Sequence, residues 1–246
     1  MRRIAVTRYV TPLREGGSLP AIVEGDDNGL YVLKFRGAGQ GARALIAELV
    51  AGELARAAGL PVPELVFADL DPDLARTEPD PEIQELIRAS GGLNLALDYL
   101  PGSVMFDPVA DAPDGLLASR IVWFDALVTN IDRTAKNTNL LMWHGKLWMI
   151  DHGAALYFHH GTSDFVGRAK DPFAAVKDHV LLRFADAIRE ADTQLCPRLS
   201  RQAIERVVSL VPAEWSAGAS RYTDYFMARL ETPRAFAEEA IRARSA

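Results

Sequence analysis

An aspartate and an asparagine five residues apart, Asp132 and Asn137, are followed by another aspartate, Asp151. The pair lies in Asn130-Ile131-Asp132-Arg133-Thr134-Ala135-Lys136-Asn137, and Ile150-Asp151-His152-Gly153 comes shortly after it. These residue types suit phosphoryl transfer from a magnesium nucleotide. One carboxylate would orient the attacking hydroxyl, while an amide oxygen and a second carboxylate would hold the metal against the phosphates. Magnesium prefers hard oxygen ligands, and no thiolate or histidine pair competes in this stretch. Asp and Asn are also common turn residues, so the five-residue spacing alone is a weak signal. The strand–turn–strand pattern ending in Asp-x-Gly strengthens it.

The elements that must position these groups can be read outward from them. Gly115 to Thr129 steps Leu117, Ile121, Phe124 and Val128 at helical spacing and ends at the loop. Thr138 to Met142 and Lys146 to Ile150 read as strands around a turn at His144-Gly145, delivering Asp151 to the same place as Asn137. Gly153 would let the chain turn sharply beside the metal.

The N-terminal half reads as strands over Ile4 to Val10, Leu19 to Glu24, Leu30 to Arg36, Leu65 to Leu70 and Leu93 to Leu100. Asp26-Asp27-Asn28-Gly29 predicts a hairpin with a two-residue Asn-Gly turn. Lys34 lies on the third strand, and the small-residue loop Gly16-Gly17-Ser18 could lay backbone N–H groups against phosphates that Lys34 also reaches. Glycine pairs are common in turns, so this feature alone favours a plain loop. Ala42 to Ala58 reads as a helix with a face of Leu45, Leu49, Leu54 and Ala58, closed by Gly59. Glu48 borders that face and could pair with Lys34. Backbone groups of Asp98, Tyr99 and Leu100 could meet an adenine edge before a hinge at Pro101-Gly102-Ser103.

Still in the N-terminal half, Asp71 to Asp80 reads as an exposed loop and Pro81 to Ala89 as a short helix; the remaining elements belong to the C-terminal half. Tyr157 to Asp171 reads as a mobile segment bearing on the acceptor. Ala174 to Ala191, Leu199 to Leu210 and Ala219 to Leu230 read as helices, and a last helix is expected to start at Thr232-Pro233.

Size and charge bound the reading. The 246 residues, 49% hydrophobic, suffice for one enzyme of two lobes: a nucleotide-binding lobe over 1–100 and a catalytic helical lobe over 101–246. A formal net charge of -6 argues against a general nucleic-acid surface. The single cysteine, Cys196, allows no intrachain disulfide and no cysteine metal cluster. No signal peptide or membrane-length apolar run is read, so the expectation is a cytoplasmic protein with no membrane partner.

The loop at 130–137 resembles the catalytic loop of HipA-type serine/threonine kinases, which share a fold with phosphoinositide kinases. Tyr31-Val32-Leu33-Lys34-Phe35 resembles their nucleotide-lysine strand. Glu48-Leu49-Val50-Ala51, with Ala58-Gly59-Leu60-Pro61-Val62-Pro63-Glu64, resembles their glutamate-bearing helix and the turn after it. The resemblance implies an α+β, bilobal protein-kinase-like fold with a β-rich N-lobe and a mainly helical C-lobe. It implies ATP and Mg2+ as cofactors and transfer of the γ-phosphoryl group to a hydroxyl, foremost of protein Ser or Thr. Asp132 would be the catalytic base and Lys136 would help neutralise the phosphoryl group. Asn137 and Asp151 would be magnesium ligands, with Lys34 and Glu48 at the phosphates. The Gly16-Gly17-Ser18 loop is similar to the family's phosphate loop, whose serine can be autophosphorylated. Beside the full-length toxin kinase the chain reads as a short form without the extra N-terminal subdomain. Arg133-Thr134 stands where many relatives have a Gly- or Arg-His pair. The expected partners are a protein or small-molecule hydroxyl acceptor and an antitoxin-like or regulatory protein. A small-molecule or lipid kinase, and a nucleotide-binding pseudokinase acting as a regulatory module, remain alternatives.

Overall fold

The computed structural model describes residues 1–13, 19–39, 41–161, 165–216 and 218–246. The chain divides into two compact units, residues 1–49 with 63–101 and residues 50–62 with 102–246.

The first unit is built on a closed barrel in the order β1-β2-β3-β5-β4. Its strands are β1 (Arg3–Pro12), β2 (Ala21–Gly25), β3 (Leu30–Lys34), β4 (Leu65–Leu70) and β5 (Gly92–Asp98). Neighbours are antiparallel except β1 and β4, which run parallel. Alternation along the strands sends Ile4, Val6, Ala21, Val23, Tyr31, Leu33, Val66 and Ala96 into a common core. The hairpin between β2 and β3 differs from the expected two-residue turn. Gly25 N–H donates to Gly29 O at 2.9 Å, so Asp26 to Gly29 form a four-residue loop. Asn28 supplies its left-handed residue at φ 62°, a conformation that asparagine tolerates better than most residues. The stretch expected as a loop at 71–80 contains a 3-10 turn, Pro72–Thr77, because Asp71 caps it and Ala75 is drawn into the barrel core. Helix α2 (Pro81–Ala89) follows, capped by Asp80.

Helix α1 (Ala42–Ala57) gives residues 42–49 to the first unit and the remainder to the second. Instead of one apolar face, every residue from Leu45 to Ala51 is buried. The small alanines between the leucines allow neighbours to approach from all sides. Gly59, at φ 79°, ends the helix region as expected; a Cβ there would sit 2.5 Å from Arg198 Nη1.

The second unit is organised around α3 (Gly115–Val128), which packs against α4 (Ile188–Leu195) and α7 (Ala235–Ser245). Asp114 caps its N-terminus, accepting from Leu117 N–H at 2.8 Å. The last carbonyls of a helix lack intrahelical partners, and here each has another. Asp125 O accepts from Asn130 N–H, Val128 O accepts from Leu156 N–H, and the buried Arg229 of α6 (Ser220–Leu230) donates to Ala126 O and Leu127 O at 2.9 Å each. Arg229 also donates to Ala169 O and Asp171 O. A small sheet, β6 (Val104–Met105), β7 (Leu140–Trp143) and β8 (Lys146–Met149), and α5 (Arg201–Val208) complete the unit.

Two expectations need correction here. Residues 174–191 are not one helix. Single 3-10 turns at Ala174–Asp178 and Leu182–Phe184 flank an extended crossing at His179, because Val180 N–H bonds Arg133 O at 3.1 Å instead of a helical carbonyl. The last helix starts at Ala235 rather than Pro233, since Arg234 is non-helical (ψ 89°) and its guanidinium binds Asp192. Within 157–171, Phe158 and Phe165 are buried against Tyr225 and Tyr222, while Tyr157, Arg168 and Asp171 are exposed. Among the described residues no helix is long and apolar enough to cross a membrane.

Replacing Arg229 by Met should strand the buried carbonyls of Ala126, Leu127 and Ala169. The expected loss is roughly 2–5 kcal/mol of stability, read by urea denaturation. A variant as stable as wild type would contradict this role.

Candidate active site

In the first unit, β3 alternation points Tyr31 and Leu33 into the barrel and Lys34 to its outer surface. Lys34 Nζ lies 3.6 Å from Glu48 Oε2 on α1, and their side chains are 11% and 1% exposed. A carboxylate this deep is costly unless a cation or hydrogen bonds attend it. Glu48 is therefore a buried residue paired with Lys34, not a charge bordering the helix surface.

Of the expected adenine-edge residues, Asp98 N–H donates to Glu64 O at 2.8 Å and Tyr99 N–H to Leu30 O at 2.9 Å. Both donors are spent on the barrel. Leu100 is the one of the three whose N–H makes no backbone bond among the described residues. Gly16, Gly17 and Ser18 lie outside the described residues.

In the second unit, α3 ends at Thr129 in the left-handed conformation, φ 52°, and the loop begins. Asn130 closes it: its Nδ2 donates to Asp125 Oδ1 at 3.1 Å and its Oδ1 accepts from Asp132 N–H at 3.1 Å. The half-buried Asp132 has one oxygen fixed. Its Oδ2 accepts from Asn137 Nδ2 at 2.7 Å and from Asn139 Nδ2 at 3.3 Å. Its Oδ1 accepts no bond among the described residues. The same contact commits the Asn137 Nδ2 to Asp132, so that the amide oxygen faces away from that carboxylate. Lys136, between them, is exposed.

Asp151 follows β8 and is itself the turning point, at φ 52°. The expected role of Gly153 in this turn is taken by Asp151, because Ile150 is pinned from both sides: its N–H donates to Asn139 O at 3.1 Å and its O accepts from Arg133 Nη1 at 3.2 Å. Upstream, Met149 N–H donates to Pro61 O at 2.7 Å. Asp132 and Asn137 are thus in contact, and Asp151 is tied to their loop through Asn139 and Arg133. An amide oxygen and a carboxylate are hard donors of the kind magnesium takes. Among the described residues no cluster of three His, Cys, Asp or Glu side chains competes.

Beneath the loop lies a set of residues that the spacing argument missed. Asp125, wholly buried on α3, accepts at Oδ2 from Arg133 Nε at 2.6 Å and from His179 Nε2 at 2.9 Å. Leu181 N–H donates to His179 Nδ1 at 3.0 Å, so the ring carries its proton on Nε2, facing Asp125. Arg133 also donates to Asn139 O. Burial alone would raise the Asp125 pKa; the Arg133 charge and the His179 hydrogen bond outweigh it and hold the carboxyl well below the usual range. The available signal was a lone Asp within the apolar run Ile121 to Val128. His179 had none.

The architecture, a β-rich barrel unit followed by a mainly helical unit, is the α+β fold of kinases, as the sequence led us to expect. A sequence profile described as HipA-like kinase matches residues 6–235, and the chain belongs to this family. The Helicobacter pylori proinflammatory kinase CtkA is similar in fold, with a TM-score of 0.58 at 13% identity over 98% of this chain and 97% of that one. The Golgi casein kinase aligns with a TM-score of 0.56 at 11% identity, over 100% of this chain and 72% of that one. A structure of that kinase with Mn/ADP bound gives a TM-score of 0.50 at 10% identity, over 100% and 72%. A search of curated proteins found no match.

Truncating Asp125 to Ala should leave Arg133 buried without its counterion and cost about 3–5 kcal/mol. In wild type, the stabilisation from Asp125 is fully present above its unfolded pKa of 3.8 and is lost as pH falls towards the lowered folded value. Acid denaturation of Asp125→Asn should therefore be less steep below that pH. Equal stability and an unchanged acid limb would refute the assignment.

Proposed function

We propose that the protein is an ATP- and magnesium-dependent kinase that transfers the γ-phosphoryl group to a Ser or Thr hydroxyl of a protein. The observation that carries this reading is the Asp132 carboxylate, with one oxygen fixed by Asn137 and Asn139 and the other left for a proton. The acceptor oxygen attacks the γ-phosphorus, and the bond to the β,γ-bridging oxygen breaks as ADP leaves. Asp132 Oδ1 takes the hydroxyl proton and later releases it to water. Lys34, oriented by Glu48, pairs with the phosphates. Asn137 Oδ1 and Asp151 would hold the metal, which supplies charge neutralisation at the phosphate oxygens. Lys136 adds positive charge at the transferred group, and the Leu100 amide is the donor for an adenine edge. Positioning and electrostatics would provide most of the rate. The similar structure solved with Mn/ADP supports a nucleotide with a divalent ion, and the likeness to a casein kinase supports a protein acceptor.

Asp132→Ala should lower phosphoprotein formation by about 10²–10⁴-fold while Mg-ATP still raises the melting temperature of the variant. Wild-type turnover in that variant would overturn the reading. Mass spectrometry after incubation with ATP should find phosphoserine or phosphothreonine. A phosphorylated sugar or lipid with no phosphoprotein would move the acceptor to a small molecule.

A further inference from the structure

A groove of about 360 Å³ opens beside the catalytic loop, within the second unit. Ala135, three residues after Asp132, forms one wall, and His179, bridged through its backbone to Thr134, forms another. Lys177, Arg183 and Arg244 line the rest, with Asp178 as the one carboxylate. All three cations are exposed, and none is in an ion pair among the described residues. Arg183 is braced, its guanidinium lying 4.5 Å over the Phe184 ring. Lys136, next to Ala135 in the chain, is a further exposed cation.

This concentration runs against the chain as a whole, whose formal net charge is -6. Several other arginines are matched: Arg2 with Asp27 and Glu64, Arg3 with Asp69, Arg189 with Glu238, and Arg234 with Asp192. Cations crowded in a concave wall repel one another and raise the local positive potential, which draws in an anionic partner. The groove has room for a few side chains of an extended peptide, and it adjoins the loop that carries the proposed base.

We propose that this groove docks the acceptor and that the acceptor is an acidic protein segment, with carboxylate side chains flanking its Ser or Thr. Lys177, Arg183 and Arg244 are specificity residues that read those carboxylates. The assignment rests on the kinase reading above and adds the substrate class to it.

The test uses the full chain and two fluorescein-labelled peptides, each with one central serine: one flanked by glutamates, the other by glutamines. Anisotropy without ATP should show the glutamate peptide binding about tenfold more tightly at low salt, with affinity falling as salt rises. Arg183→Glu with Arg244→Glu, both at exposed positions, should reduce the glutamate peptide to the level of the glutamine peptide. Lys177→Glu should shift it in the same direction. In steady state the double variant should raise KM for the glutamate peptide with kcat little changed. Equal binding of the two peptides, or variants that bind the glutamate peptide as wild type does, would overturn the proposal. Tighter binding of an oligoribonucleotide of equal charge would overturn it as well. Because affinity is read without transfer, selective binding with no phosphorylation would uphold the docking site and sink the kinase reading. Phosphorylation without charge preference would do the reverse.

Discussion

The buried carboxylate of Asp125 is the constraint on which the proposed catalytic loop depends. An ionised group with no exposed surface costs several kcal/mol unless its oxygens are satisfied. Three donors meet it: Asn130 at Oδ1, Arg133 and His179 at Oδ2. Each donor is at or next to a point where the chain changes direction. Asn130 opens the loop, Arg133 sits beside Asp132, and His179 interrupts what would otherwise continue as a helix. Satisfying one charge therefore fixes the path of three segments.

Arg133 carries that constraint onward. Its Nε is committed to Asp125, which leaves Nη1 to grip the carbonyls of Asn139 and Ile150. Asn139 lies beyond Asn137, and Ile150 precedes Asp151. A single guanidinium thus registers both proposed metal ligands against the proposed base. The geometry is planar and multi-donor, which an ammonium could not reproduce. At the root of the loop, Arg229 plays a comparable part for the end of α3, whose carbonyls it caps from the side. Two buried arginines hold the point from which the loop departs. The orientation of Asp132 itself comes from two neighbouring amides.

The elements with plain periodicity were legible in the sequence. Strand β4 and helix α2 fall where the alternation and the Asp-Pro start place them, and Lys34 and Glu48 meet as their spacing on β3 and α1 suggested. What escaped the sequence was set by long-range partners. Residues 174–191 have helical composition, yet a backbone bond from Val180 to Arg133 and the pull of His179 towards Asp125 break the helix. At the expected adenine edge, the amides of Asp98 and Tyr99 are engaged by Glu64 and Leu30, residues distant in sequence, which the local pattern did not show. Arg133 looked like a departure from the family's loop. It is the residue that ties the loop together.

The proposal requires the Lys34–Glu48 pair and the Asn137–Asp151 pair to serve one nucleotide. The most direct measurement is Mn2+ binding by electron paramagnetic resonance, with and without ADP, in wild type, Asp151→Asn and Lys34→Met. The expected result is tight Mn2+ binding that needs ADP and is weakened by either substitution. Mn2+ binding that is indifferent to ADP, or that neither substitution changes, would contradict it.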